Sequence, residues 1–133
     1  MSTLDHCSRI SPFAEKRMRF SADGSYGYGR NGEMFCEGVS LESIARKTGT
    51  PVYVYSAAAA LGRYRELDHA FAGRKRLLCY ALKANPNAAL CRLLSREGAG
   101  ADVVSGGELQ RALAAGFDPG RILFSGVGKT EAE

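Results

Sequence analysis

Three short apolar segments start near residues 77, 101 and 121, at intervals of 24 and 20 residues, with helix-patterned stretches between them. Strands alternating with helices at that pitch mean βα units and a parallel sheet. The segments are RLLCYALK at 76–83, ADVV at 101–104 and RILFS at 121–125. The first is a continuous apolar run, which predicts a strand buried on both faces. Asn85 and Pro86 fit the N-cap and first turn of the next helix, with Leu90, Leu93 and Leu94 on its inner face. Ser105-Gly106-Gly107-Glu108 matches a capping box, and the helix it opens runs through Leu109, Ala112 and Leu113 to a stop at Gly116. Upstream, PVYVYS at 51–56 reads as another strand. Residues 57–71 read as a helix, with Leu61, Tyr64, Leu67 and Phe71 at helical spacing.

Parallel βα units leave two architectures, a doubly wound sheet or a (β/α)8 barrel. In a barrel, chemistry comes from the C-terminal ends of strands. Those ends carry Lys83, then Asp102 to Ser105, then Ser125 to Lys129. A whole barrel takes ~250 residues, whereas this chain has 133. Thr130-Glu131-Ala132-Glu133 reads as the capped first turn of another helix, so the sequence reads as a fragment.

The preceding third is organised differently. Residues 1–19 are polar and aperiodic and are expected to be loose. FSADGSYGYGRNG at 20–32 suggests turns between short strands. Ser40 is a natural N-cap for LESIARK, with Gly49 as its stop and Pro51 just beyond. No apolar run approaches the ~18–20 residues a membrane span needs, and MSTLDHCSRISPFAEKRMRF lacks the apolar core of a secretory signal. A cytoplasmic chain without a membrane partner is expected.

The net charge is +4, and the excess lies within residues 1–76, which hold twelve cations and eight acids. Arg74, Lys75 and Arg76 form the one tight basic triplet. It lacks the interleaved aromatics of a nucleic-acid surface and reads as a solvated turn before a strand. Cys7, Cys36, Cys79 and Cys91 share no Cys-x-x-Cys spacing and have no paired histidines nearby, so no metal site is expected. Cys79 and Cys91, in apolar stretches, read as small core residues in a reducing compartment.

Two glycine motifs match nucleotide-binding patterns only by letter. Gly27-x-Gly29-x-x-Gly32 is interrupted by tyrosines, Arg30 and Asn31 and is followed by the strand-like EMFCEGV, so a tight turn is expected. Gly126-Val127-Gly128-Lys129-Thr130 has Leu123 where a P-loop needs its first glycine, which leaves Lys129 no phosphate cradle to complete.

Lys83 ends the buried apolar strand in Tyr80-Ala81-Leu82-Lys83-Ala84-Asn85. A lysine there either marks where the strand meets water or serves as a partly desolvated amine that attacks a carbonyl. Amines of the second kind hold pyridoxal phosphate, which acts as an electron sink.

YALKAN, then GAGADVVSGGELQRALAAGF at 98–117, then ILFSGVGKT at 122–130, closely resembles the diaminopimelate decarboxylase family. FCEGVSLESIARKTGTPVYVYS at 35–56 fits the same family's approach to its barrel. The likeness runs from about residue 30 to the end, with several separated motifs in order. The family belongs to the fold-type III pyridoxal-phosphate decarboxylases, related to ornithine and arginine decarboxylases and to alanine racemase.

The resemblance implies an α/β fold, the N-terminal part of an alanine-racemase-like (β/α)8 barrel. It assigns residues 1–34 to a β-domain contribution and 35–133 to the first βα units of the pyridoxal-phosphate-binding barrel. Lys83 matches the lysine that holds the cofactor, and Ala81 the small residue lining its pocket. Asp102 matches an acidic residue near both, though a carboxylate paired with a neighbouring cation is the plainer alternative. Glu108 is read chiefly as the capping-box acid. Ser125 and Gly126, at the following strand end, are candidate lining residues.

The implied reaction is decarboxylation of meso-2,6-diaminopimelate to L-lysine and CO2 by a cytoplasmic homodimer. A related decarboxylase acting on ornithine, arginine or a carboxylated polyamine is the alternative, as is a non-catalytic pyridoxal-phosphate carrier. The family's glycine-rich phosphate loop, its glutamate facing the pyridine nitrogen and its partner-subunit Cys-Glu motif all lie further along such chains.

Overall fold

The computed structural model describes residues 19–21 and 24–132. The expectation of a loose stretch at 1–19, and Cys7 with it, falls almost wholly outside them. The described residues divide into two compact units, one ending at Ser56 and the other starting at Ala57.

The first unit is an antiparallel meander of β1 (Arg19–Phe20), β2 (Tyr26–Tyr28), β3 (Met34–Cys36) and β4 (Val39–Ser40), in sequence order. The expected turns between short strands are there. Gly27 pairs with Phe35 inside the ladder. The Gly29 N–H bonds Glu33 O at 2.7 Å, and the Gly32 N–H bonds Gly29 O at 3.0 Å. The dinucleotide-like glycines therefore build a hairpin. Glu37 and Gly38 join β3 to β4 with φ of 50° and 82°. Two successive positive φ values give a connection whose twist suits the flanking strands, and glycine accepts the second without strain.

Helix α1 (Leu41–Thr48) starts as expected at Ser40, whose Oγ accepts from the Ser43 N–H at 3.1 Å, and ends at Gly49. Residues 51–56 correct the strand expectation. They join no ladder among the described strands. One hydrogen bond to this stretch comes from the Tyr26 hydroxyl, which donates to Val54 O at 2.8 Å. Tyr53 stays 86% exposed. High β-propensity alone does not make a strand without a neighbouring edge.

The second unit runs α2 (Ala57–Ala70), β5 (Cys79–Ala81), α3 (Ala88–Arg96), β6 (Gly100–Val103), α4 (Gly106–Ala115) and β7 (Ile122–Phe124). The three strands are parallel and adjacent in sequence order. The expected βα pitch is thus realised. Register pairs Tyr80 with Ala101 and Ala101 with Ile122, and likewise Val103 with Phe124. These residues share the face covered by helices. Ala101, Val103 and Leu82 are buried there with Cys91 and Leu94 of α3, Ala112 and Ala115 of α4, and Phe117. Tyr80, Ile122, Phe124, Leu61 and Tyr64 pack against them. The far end of α2 leaves the core, with Leu67 and Phe71 about half exposed.

Two boundaries differ from expectation. The ladder of β5 covers three residues, because Leu82–Ala84 wind into a 3-10 turn that drives Leu82 into the core. The cap of α3 is Asn87, whose Oδ1 accepts from the N–H groups of Ala89 and Leu90 at 2.9 and 3.3 Å. Asn85 is instead engaged with the chain just after it, its Oδ1 accepting from the Asn87 N–H at 3.1 Å. The stop at Gly116 is as expected: its φ is 88°, and the Phe117 N–H reaches back to Ala112 O at 3.1 Å.

Surface ion pairs tie the helices together. Arg65 of α2 grips Glu97 at the end of α3 with two bonds of 2.7 and 2.6 Å, which holds the Glu97 carboxyl below its usual range. Arg76 of the basic triplet makes the same fork to Asp68, at 2.9 and 2.6 Å.

Candidate functional site

Side chains alternate across a strand, so the sheet's other face carries Cys79 and Ala81 of β5, Gly100 and Asp102 of β6, and Leu123 of β7. Register sets Cys79 beside Gly100, Ala81 beside Asp102, and Asp102 beside Leu123. Within this unit the helices pack on the opposite face, and Leu123 is 53% exposed. Small residues dominate it. Gly100 is obligatory by packing: a Cβ there would fall 2.5 Å from Arg121 O and 2.7 Å from Cys79 Sγ.

Cys79 corrects the expectation that it is a core residue. It lies half-buried on the open face, whereas Cys91 is buried under the helices. Their positions on the strand and helix periods, 79 with 81 against 80 with 82, carry that distinction. Burial pushes the Cys79 thiol up, the Asp102 charge adds to the effect, and Arg121 opposes it.

The structure brings two of the expected site residues into direct contact. Ser125, just past β7, donates its hydroxyl to Asp102 Oδ1 at 2.5 Å. Its backbone N–H continues the ladder to Val103 O at 2.9 Å. Nothing in the sequence pattern signalled this bond. Gly126 makes the approach possible, since a Cβ there would lie 2.6 Å from Val104 O and 3.1 Å from Phe124 Cε1.

Lys83 sits in the turn after β5, two residues past Ala81, and is exposed. Lys83 and Ser125 each lie two residues past a register partner of Asp102, Ala81 and Leu123, in the segments that follow β5 and β7. Among the described residues Lys83 has no hydrogen-bond or ion-pair partner. Lys129 is differently placed. Its ammonium lies 5.6 Å from the centre of the Phe124 ring and donates to Gly126 O at 3.3 Å. Phe124 packs with the helix-side core, so Lys129 folds away from the Asp102 face. Gly128 lies in a turn with φ of 69°, and no helix opens there among the described residues.

Glu108 belongs to the cap of α4. The Ser105 Oγ accepts from the Glu108 N–H at 3.2 Å, as a capping box requires. The return bond is shifted by one residue: Glu108 Oε2 accepts from the Val104 N–H at 2.9 Å.

Parallel βα units with an amine, a carboxylate and a hydroxyl just past or within successive strands are the arrangement of an α/β protein whose polar groups gather at the C-terminal ends of its strands. The chain belongs to the pyridoxal-dependent decarboxylase family: its residues 59–133 match the family's pyridoxal binding domain. It is 54% identical over 101 residues to the diaminopimelate decarboxylase of Pseudomonas aeruginosa, covering 76% of this chain and 24% of that one. A crystal structure of a protein from Aquifex aeolicus superposes with TM-score 0.76 at 51% identity, covering 82% of this chain and 27% of that one. The Helicobacter pylori diaminopimelate decarboxylase, solved with L-lysine, gives TM-score 0.64 at 48% identity over 67% of this chain and 23% of that one.

The chain spans about a quarter of the length of the relatives it matches. Its βα units are the opening part of an alanine-racemase-like barrel. Among the described residues no helix is long and apolar enough to cross a membrane.

The residues present fit pyridoxal phosphate. Lys83 supplies a primary amine with no competing partner among the described residues. Ala81, in register with Asp102, carries only a methyl group on the open face. The Asp102–Ser125 pair supplies polar groups beside it.

Proposed function

We propose that the full-length protein decarboxylates meso-2,6-diaminopimelate to L-lysine and CO2 with pyridoxal 5'-phosphate. The observation that carries this reading is the row formed by Lys83, Asp102 and Ser125 at successive strand ends of a pyridoxal-binding domain.

In this reading Lys83 Nζ is the covalent attachment point. A neutral primary amine is the nucleophile a carbonyl carbon requires. When bound, pyridoxal phosphate supplies a sink for the electron pair left by the departing carboxylate. Ala81 would bound the cofactor's site with a single methyl group. Asp102, in register with Ala81, supplies a carboxylate that orients a cationic group of the bound ligand. Ser125 lines the same face.

The full-length protein is further proposed to be a cytoplasmic homodimer. The free thiols of Cys36, Cys79 and Cys91 suit a reducing compartment. Residues 1–34 are proposed to contribute to a β-domain and 35–133 to the barrel, on the strength of the family resemblance.

The test is CO2 release by the full-length protein loaded with cofactor, with meso-diaminopimelate, ornithine and arginine compared by kcat/KM. Preference for meso-diaminopimelate is expected. Preference for ornithine or arginine would move the protein to a sister branch of the family. Tight cofactor binding with no CO2 from any of the three would make it a carrier.

A further inference from the structure

We propose that Ser125 is a positioning residue for Asp102, holding the carboxylate through Oδ1 so that Oδ2 is the oxygen presented to whatever Lys83 carries. The proposal rests on the reading of Lys83 as the cofactor's attachment point.

Three observations support it. The Ser125 hydroxyl donates to Asp102 Oδ1 at 2.5 Å, within the range of the strong bonds that hydroxyls make to carboxylates. It is the one bond to the Asp102 side chain among the described residues, so Oδ2 is uncommitted. The backbone is shaped to deliver the hydroxyl, because the Ser125 N–H is tied to Val103 O at 2.9 Å and Gly126 packs where a Cβ would meet Val104 O at 2.6 Å. Ser125 is therefore held on both sides of its Cα.

Geometry also limits what else could steer Asp102. Its register partners are Ala81 and Leu123, and neither carries a donor in its side chain. An aspartate without the Ser125 bond would rotate about its two side-chain torsions and lose a single defined orientation. Orientation of a charged group within a site governs how much it favours one bound state. Leu123, whose side chain lies level with Asp102, cannot replace the hydroxyl.

The test is a double-mutant cycle in the full-length protein with Ser125→Ala, Asp102→Ala and the pair together, plus Ser125→Thr. Two quantities are read for each variant: the equilibrium dissociation constant for pyridoxal phosphate, and kcat/KM for decarboxylation. Ser125→Ala is expected to worsen kcat/KM and cofactor affinity by roughly tenfold, the scale of a hydrogen bond to a charged group. In the Asp102→Ala background the same change is expected to do less than about twofold, because the partner is gone. Ser125→Thr keeps the hydroxyl and is expected to recover most of the loss.

A Ser125→Ala effect of equal size in both backgrounds would overturn the proposal, as would a threonine variant no better than alanine. A wild-type protein that binds cofactor without releasing CO2 would overturn the decarboxylase reading alone. The coupling would then be judged on cofactor affinity.

Discussion

Adding one methyl group should have opposite effects at two glycines. At Gly126 the new Cβ would sit 2.6 Å from Val104 O and 3.1 Å from Phe124 Cε1, where ordinary contact begins near 3.4 Å. Val104 O is backbone at the end of β6, so it cannot swing aside, and relief takes roughly 0.8 Å of chain movement, an overpacking strain. Such strain costs about 1–3 kcal/mol. The movement also stretches the 2.5 Å Ser125–Asp102 bond beyond the ~3.0 Å limit of a good O–H···O hydrogen bond.

At Gly62, inside α2, a Cβ meets nothing within 4 Å. There Gly62→Ala should stabilise by about 0.5–1 kcal/mol, since alanine loses less backbone entropy in a helix. Hydrogen exchange by mass spectrometry on the full-length protein reads each region separately. Gly126→Ala should speed exchange in peptides covering β6 and β7 by about 5- to 150-fold, as the local opening cost falls, and should lower turnover. Gly62→Ala should slow exchange in α2 and leave turnover unchanged. Exchange at β6 and β7 unaltered by Gly126→Ala would refute the claim that this glycine sets the approach of the two strand ends.

Three other outcomes follow from the same geometry. Asp102→Ala in the full-length protein should cut turnover by at least about tenfold, the scale for losing a preorganised charge, with little change in Tm, because the side chain lies outside the helix-side core. A large Tm loss at unchanged turnover would assign Asp102 a structural part instead. In the cofactor-free protein, Asp102→Asn should speed alkylation of Cys79 between pH 7 and 9: the Asp102 charge helps hold the Cys79 thiol protonated, so its removal raises the thiolate fraction. Cys91 labelling should not change, and equal acceleration at both cysteines would contradict the assignment of Cys79 to the open face. The 133-residue polypeptide on its own should self-associate and release no CO2. Among the described residues, strands β5 and β7 each pair on one side only, and unpaired edges template further pairing. A compact monomer by light scattering would show that something covers those edges.

The fold was legible wherever a periodic pattern met a turn or cap of specific chemistry. Ser40 to Gly49, and the Ser105 cap with its stop at Gly116, are local motifs whose hydrogen bonds close within a few residues. The βα pitch was equally plain. The failures lie where neighbours decide. PVYVYS has strand composition but joins no ladder among the described residues, and RLLCYALK loses its last residues to a 3-10 turn once Leu82 finds the core. Cys79 and Cys91 both sit in apolar stretches, and only the sheet register separates the open face from the packed one.

The site divides the same way. Lys83, Ala81, Asp102 and Ser125 were named from motif resemblance, which a linear sequence displays. The Asp102–Ser125 bond joins residues 23 positions apart, and no pattern in either segment announces it. Gly126 was read as a candidate lining residue, and its close contact with Val104 O had no signature in the sequence.

The most direct test of the account is where the cofactor attaches. Full-length protein loaded with pyridoxal phosphate, reduced with borohydride, digested and mapped by mass spectrometry should carry a pyridoxyl group on Lys83. Lys83→Ala should abolish the adduct and turnover together. An adduct on Lys129, or cofactor retained and turned over without Lys83, would contradict the central claim.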